Sequence, residues 1–334
     1  MIRCSKPSIG KLEKSFVNSA LEKSDVGVGE YIERFEKAWS SYNKKEFGVA
    51  CNSGTNALYL ALKSLGIGVG DEVIVPEYTM VATAFAVIYT GATPIFVDCY
   101  DNLIMDEVKA ERAVTKRTKA VIVVPIYGRP AKYPVVKVPI IEDMAQAHGI
   151  QPQGDIACYS FYGNKILTTG EGGMCITNNG IWANEMRLYA NMYFDKERTM
   201  LHPKVGHNFR MTNLQAAVGL AQVMRIDEIL LKRKKIQDWY DTHIPESVLM
   251  PRRDVLWQYD IQVPNNDLMK RKLEKLGVES RYGFKPMSMQ PFIEGEYKHL
   301  NAYKWSQHIL YLPVWTDMQE KDVKQICQYV RASL

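Results

Sequence analysis

Through the first 240 positions, short β-branched runs alternate with stretches whose apolar residues recur every three or four positions. EVIVP (72–76), PIFVD (94–98), KAVIVVPI (119–126) and VPIIED (138–143) read as strands. Between them, GTNALYLALKSLG, TMVATAFAVIYTG and MDEVKAERAV carry the helical period. Strands that are apolar at nearly every position, separated by helices, predict a mostly parallel sheet covered on both faces, an α/β fold. DIACYSF and GMCITN add two strands around residues 155–178, and GVAC around 50 is a further strand-like run. YIERFEKAWSSY places Ile32, Phe35 and Trp39 on one helical face and sets Glu33 to pair with Lys37. The stretch MTNLQAAVGLAQVMRIDEILLKRKKIQDWY (211–240) reads as one long helix. Beyond it the elements become short and mixed. The pattern therefore divides the chain into residues 1–240, an N-terminal segment with a large α/β domain, and residues 241–334, a small C-terminal α+β domain.

Length and composition narrow the class. A chain of 334 residues suffices for one large core and a smaller lobe. With 46% apolar and 24% charged residues it has the make-up of an ordinary soluble protein. The formal net charge of +5 is mild, and the one basic run, LKRKK (231–235), lies in a helical pattern. It reads as a solvated helix face, which excludes no anionic small molecule but gives no nucleic-acid footprint. The six cysteines are scattered without a Cys-x-x-Cys pair, so they read as small buried hydrophobes in a reducing, cytoplasmic setting. No apolar run reaches the ~18 residues of a membrane span, and the N-terminus has no apolar signal core. The histidines show no metal-binding spacing, so no metal is expected.

In open parallel sheets, ligands bind beyond the carboxyl ends of the strands, and polar residues collect there. NSGTNAL (52–58) sets a glycine and two hydroxyls at a helix start, which is either a phosphate cradle or a plain cap made by Ser53 or Thr55. Asp143 closes VPIIED. A carboxylate at a buried strand end needs a partner, either a protonated ring nitrogen or a structural ion pair or cap. Lys165 stands in SFYGNKILTTGEGG (160–173), where a surface loop and an aldehyde-binding lysine are both readings of the stretch. Taken together, a phosphate cradle, a carboxylate and a lysine are the anchors that pyridoxal phosphate requires.

The segments SGTNAL, GDEVIVPEYTMVATAFAVIYTGATPIFVD, IEDMAQAHG, GDIACYSFYGNKILTTGEGGM and GHNFRMTNLQAAVGLAQ resemble the DegT/DnrJ/EryC1/StrS family of sugar aminotransferases. With SKPSIG near the start and GVESRYGFKPMSMQPF late in the chain, the resemblance spans nearly the whole sequence. It implies aminotransferase fold type I, with a seven-stranded-type, mostly parallel sheet, pyridoxal 5'-phosphate as cofactor, and a homodimer with shared active sites. Lys165 would be the Schiff-base lysine and proton shuttle. Asp143 would pair with the pyridine nitrogen and Gln146 with the ring hydroxyl, while Gly54, Thr55, Asn56 and Ser160 would hold the phosphate. Asn208 would reach the partner subunit's cofactor, and Arg210 and Arg281 are substrate candidates. FYGNKILTTGEGGM is most similar to the perosamine-synthase-like and viosamine-synthase-like branch. That branch implies amino transfer from glutamate to C4 of a nucleotide-linked 4-keto-6-deoxyhexose.

Two departures from the family pattern stand out. Met80 occupies the place of an aromatic that stacks on the cofactor ring; a thioether can pack on a π-face. Between YG and IED, where relatives have a helix, only RPAKYPVVKVP remains, and its prolines disfavour a helix. Competing readings are a 3-aminotransferase acting on a 3-keto sugar and a non-catalytic sensor or scaffold that keeps the fold. Related dehydratases have histidine at the lysine position, and Lys165 argues against that branch.

Overall fold

The computed structural model describes residues 1–195, 197, 199–293 and 300–334. Among these, the large sheet has seven strands: β1 (Phe47–Cys51), β2 (Glu72–Pro76), β3 (Thr93–Val97), β4 (Thr118–Val123), β5 (Ile140–Asp143), β6 (Ile156–Ser160) and β7 (Gly173–Thr177). Their order is β1-β7-β6-β5-β4-β2-β3. Only β7 runs against its neighbours, pairing antiparallel with both β1 and β6. The central strands β2, β5, β6 and β7 are buried along most of their length, as their unbroken apolar runs require.

Helices cover both faces. α1 (Lys11–Glu22), α2 (Glu30–Tyr42) and α3 (Gly54–Ser64) are followed by α4 (Val81–Tyr89), α5 (Glu107–Arg112), α6 (Gly180–Ala190) and α7 (Asn213–Met224). One core joins α2 and α7 to the sheet through Phe35, Trp39, Tyr159 and Phe161. The other packs α3 and α6 on the opposite face around Leu58, Leu60, Leu62 and Met186. On α2 the intrahelical ion pair is Arg34 with Glu30, not Glu33 with Lys37. All six cysteines are free and buried.

The long helix read over 211–240 is two helices. α7 ends at Met224, because Arg225 leaves helical geometry at φ −114°, ψ 8°, and α8 (Ile226–His243) sets off anew. The break answers two packing demands. α7 lies on α1 and α2, whereas α8 lies on α11 (Glu320–Ser333). Arg225 is held at the corner by Glu13 of α1 at 2.6 Å and by Glu228 at 3.3 Å. LKRKK also needs correcting as a solvated face, since Arg233 points inward and is 3% exposed.

The C-terminal part has a three-stranded antiparallel sheet, β8 (Tyr259–Gln262), β10 (Ile309–Leu312) and β9 (Arg281–Tyr282), in that order. α8, α9 (Asn266–Lys275) and α11 pack there around Tyr240, Tyr259, Leu273 and Ile326, and the short α10 (Leu300–Ser306) precedes β10. Residues 129–139 contain no helix. Tyr133 from this segment instead hydrogen-bonds the buried Glu142, which also accepts the N–H groups of Gln153 and Gly154. The two parts are tied by a buried cluster in which Arg129 (2.9 Å) and Arg253 (2.6 Å) both grip Asp260 of β8.

Candidate active site

Three chain turns at the carboxyl ends of β1, β5 and β6 meet at a cavity of about 420 Å³. After β1, Ser53 takes extended geometry, and its Oγ accepts the Asn56 N–H at 3.2 Å, so Ser53, not Thr55, is the cap of α3. The first turn of α3 reaches the cavity with Ser53, Gly54 and Thr55. Gly54 is needed there: a Cβ would come within 2.6 Å of the Ser160 Cβ. Gly173 serves the same approach, since a Cβ on it would lie 2.2 Å from the Ser53 carbonyl oxygen. The sheet and helix start are thus pressed together, which leaves a helix N-terminus and the Ser160 hydroxyl facing one pocket. Such an end favours an anion through its free N–H groups and dipole.

Asp143, at the end of β5, is 4% exposed. Its Oδ2 accepts from the Thr83 hydroxyl at 2.8 Å and its Oδ1 from the Ala145 N–H at 3.2 Å. Burial pushes its carboxyl up, while the Thr83 bond and the Lys165 charge pull the other way. Thr83 is itself 3.1 Å from the Thr79 hydroxyl. The sequence does not mark this threonine pair, because it lies in a helical pattern, where threonine is a neutral filler. Gln146 is buried beside Asp143, and its Oε1 accepts the Tyr127 N–H at 2.8 Å. Tyr127 is a non-glycine residue at φ +53°, and its hydroxyl is bonded to those of Tyr78 and Tyr311. Tyr78 is fully buried in that cluster, whereas Met80 lines the cavity at 46% exposure.

Lys165 is carried by a loop tied down at several points. The Lys165 N–H donates to the Tyr162 carbonyl at 2.9 Å, and the Leu167 N–H to His148 Nδ1 at 3.1 Å. The Phe161 N–H donates to Gly172 at 2.8 Å, and the Thr168 hydroxyl to Phe161 at 3.0 Å. Gly170 turns the chain at φ +83°. Burial brings the Lys165 amine down to about 8, partly opposed by Asp143. At pH 7 about a tenth of such an amine is neutral and nucleophilic, far more than of an ordinary lysine. Burial, reinforced by the Lys165 charge, lowers His148 to about 3, so this imidazole is neutral.

Of the other sequence candidates, Arg281 lines the cavity and pairs with Glu279 at 3.1 Å. Asn56 is in the first turn of α3, but its side chain donates to Asn52 at 2.7 Å and does not line the cavity. Asn208 and Arg210 are exposed and outside it. Asn208 bridges Asn191, whose Oδ1 accepts from Arg210 at 2.9 Å. Asn208 does not cap α7; Thr212 and Gln215 form that capping box. The neighbouring Phe209 carbonyl accepts the Asn52 N–H at 2.8 Å, which fixes this segment just outside the start of α3.

The model of the DegT/DnrJ/EryC1/StrS aminotransferase family matches residues 7–331. The chain belongs to that family. A GDP-perosamine synthase of Caulobacter vibrioides is 39% identical over 88% of this chain and 86% of its own length. A UDP-N-acetyl-3-dehydro-alpha-D-glucosamine 3-aminotransferase of Acidithiobacillus ferrooxidans is 35% identical over 86% of this chain and 84% of its own. Among solved structures, S. venezuelae DesV superposes with a TM-score of 0.89 at 28% identity, covering 96% of this chain and 93% of that one. Family membership makes the protein a pyridoxal-phosphate-dependent transaminase. The donor set fits that cofactor: a helix start cleared by Gly54 suits the phosphate, a buried carboxylate suits a protonated ring nitrogen, and a lysine of lowered basicity suits the aldehyde.

Proposed function

We propose that the protein transfers the amino group of glutamate to C4 of a nucleotide-linked 4-keto-6-deoxyhexose, giving a 4-amino-4,6-dideoxy sugar nucleotide of the perosamine or viosamine type. The observation that carries the reading is the likeness to a GDP-perosamine synthase over most of both chains, combined with a site complete in all three anchors. Bound pyridoxal phosphate supplies an aldehyde for amine exchange and a ring that accepts electrons. Lys165 is the amine that would hold it and, when free, would serve as the base that carries a proton at the reacting carbon. Asp143 would keep the ring nitrogen protonated, and Thr83 fixes the carboxylate that would do so. Gln146 meets the ring hydroxyl. Gly54, Thr55, Asn56 and Ser160 would take the phosphate. Met80 packs on the ring. Asn208 completes the site of the partner subunit in a homodimer, and Arg210 and Arg281 face the anionic parts of the substrates. The reaction takes place in the cytoplasm, a setting that suits six free thiols.

The 35% identical 3-aminotransferase supports a second reading, amination at C3 of a 3-keto sugar nucleotide. One experiment separates the two. The protein is incubated with glutamate and each keto sugar nucleotide, and the product is identified by mass and NMR. A new amine at C4 supports the first reading; one at C3, or at neither, rejects it.

A further inference from the structure

Lys165 is a large-domain residue, yet the nearest aromatic surface to its amine comes from the other part of the chain. Its Nζ lies 4.2 Å from the centroid of the Trp257 ring. Trp257 sits two residues before β8, is 5% exposed and lines the same cavity. Its indole N–H donates to the Asn164 carbonyl at 2.9 Å, the peptide group immediately before Lys165. One ring therefore touches the lysine twice, through its face at the amine and through its edge at the backbone.

The ring is itself held in place. Arg233 of α8 donates to the carbonyls of Leu256 and Trp257 at 3.0 and 3.1 Å. A guanidinium 3% exposed and spent on two adjacent carbonyls costs desolvation free energy that a surface arginine avoids. Trp257 also stacks on Tyr127, with ring planes 25° apart, and Tyr127 donates its N–H to Gln146. Arg233, Trp257 and Lys165 form a chain of contacts from the small part's helix to the amine.

We propose that Trp257 is a positioning residue for Lys165: its face is the resting place of the free ammonium, and its N–H sets the angle of the loop that presents the amine. This rests on Lys165 being the cofactor lysine. A cation over an indole face within 6 Å gains about 0.5–2 kcal/mol, the more the less water reaches it. That attraction acts on the charged form alone, so it holds the amine's pKa above the value that burial by itself would set.

The test is competitive acetylation of the cofactor-free protein as a function of pH, with the Lys165 peptide quantified by mass spectrometry. Trp257→Phe keeps a ring face and loses the N–H donor; Trp257→Met fills space and has neither. The Lys165 pKa should stay within about half a unit of wild type in Trp257→Phe and fall by about one unit in Trp257→Met. An unchanged or raised pKa in folded Trp257→Met overturns the role of the ring face. Should that variant not fold, Trp257→Phe still decides the other half. The rate at which it captures pyridoxal phosphate, followed by absorbance, should drop about threefold through the lost N–H bond, and a wild-type rate overturns the proposal. The underlying reading is checked separately: pyridoxal phosphate must protect Lys165 from acetylation in the wild-type protein. Loss of protection counts against Lys165 as cofactor lysine, whatever Trp257 does.

Discussion

At Asp143, two hydrogen bonds and a low-dielectric setting hold a carboxylate where a protonated ring nitrogen would meet it. Asp143→Asn keeps the shape and an acceptor for Thr83 but removes the charge. The variant should fold with a melting temperature near wild type and turn over at least about a hundredfold more slowly, on the scale of a lost electrostatic stabiliser. Near-normal turnover would make Asp143 structural. Met80 poses a packing question, being 46% exposed on the cavity wall. Met80→Ala should weaken pyridoxal phosphate binding, whereas Met80→Tyr should match or exceed wild type in a spectroscopic titration. Equal affinity for the alanine variant would place Met80 off the ring. That Asp143, Ser160 and Lys165 meet at one cavity was legible in the sequence, because Asp143 and Ser160 end strands and Lys165 stands in a distinctive glycine-rich run. Thr83 and Trp257 were not: Thr83 looks like any helical threonine, and the Trp257 indole bonds to a residue 93 positions away. The one textual hint is a lone tryptophan beside alternating residues in VLWQYD, which a strand start explains equally well.

Among the elements, the start of α3 matters most. Its approach to β6 leaves no room for a methyl group at position 54, where a Cβ would sit 2.6 Å from Ser160. Gly54→Ala should therefore tilt or shift the helix start and lose about one hydrogen bond's worth of phosphate binding, roughly a tenfold weaker dissociation constant for the cofactor. A calorimetric titration that shows unchanged affinity would mean that the phosphate lies elsewhere. EVIVP was readable as a strand to the residue, because a parallel strand buried on both faces writes its burial directly into its apolar run. The 211–240 stretch misled, since nothing in its period marks Arg225. The break is set by Glu13, on a helix some two hundred positions away, and by the separate packing of α7 and α8. Arg233 was hidden in the same way: four neighbours in LKRKK resemble a surface, and only the fold shows one of the charges turned inward.

For the molecule as a whole, the segment 207–210 stands just outside α3, bonded to Asn52, with Asn208 and Arg210 exposed and outside their own chain's cavity. The proposed shared site accounts for this placement by letting Asn208 reach the partner subunit's cavity. Lys165→Ala and Asn208→Ala proteins should each be weak or inactive alone. Mixed with subunit exchange, about half of the dimers are heterodimers with one intact site, and roughly a quarter of wild-type activity should return. No recovery, with exchange demonstrated by tagged subunits, would confine Asn208 to its own chain.

Lys165 is the centre of the proposed site, with its loop tied down and the buried Asp143 carboxylate acting on its amine. Reduction of the cofactor-loaded protein with borohydride, followed by peptide mapping by mass spectrometry, reads it out directly. A phosphopyridoxyl group should appear on the Lys165 peptide and on no other lysine. A group mapped to a different lysine, or none in protein that carries its full complement of cofactor, would contradict the assignment of Lys165 as cofactor lysine.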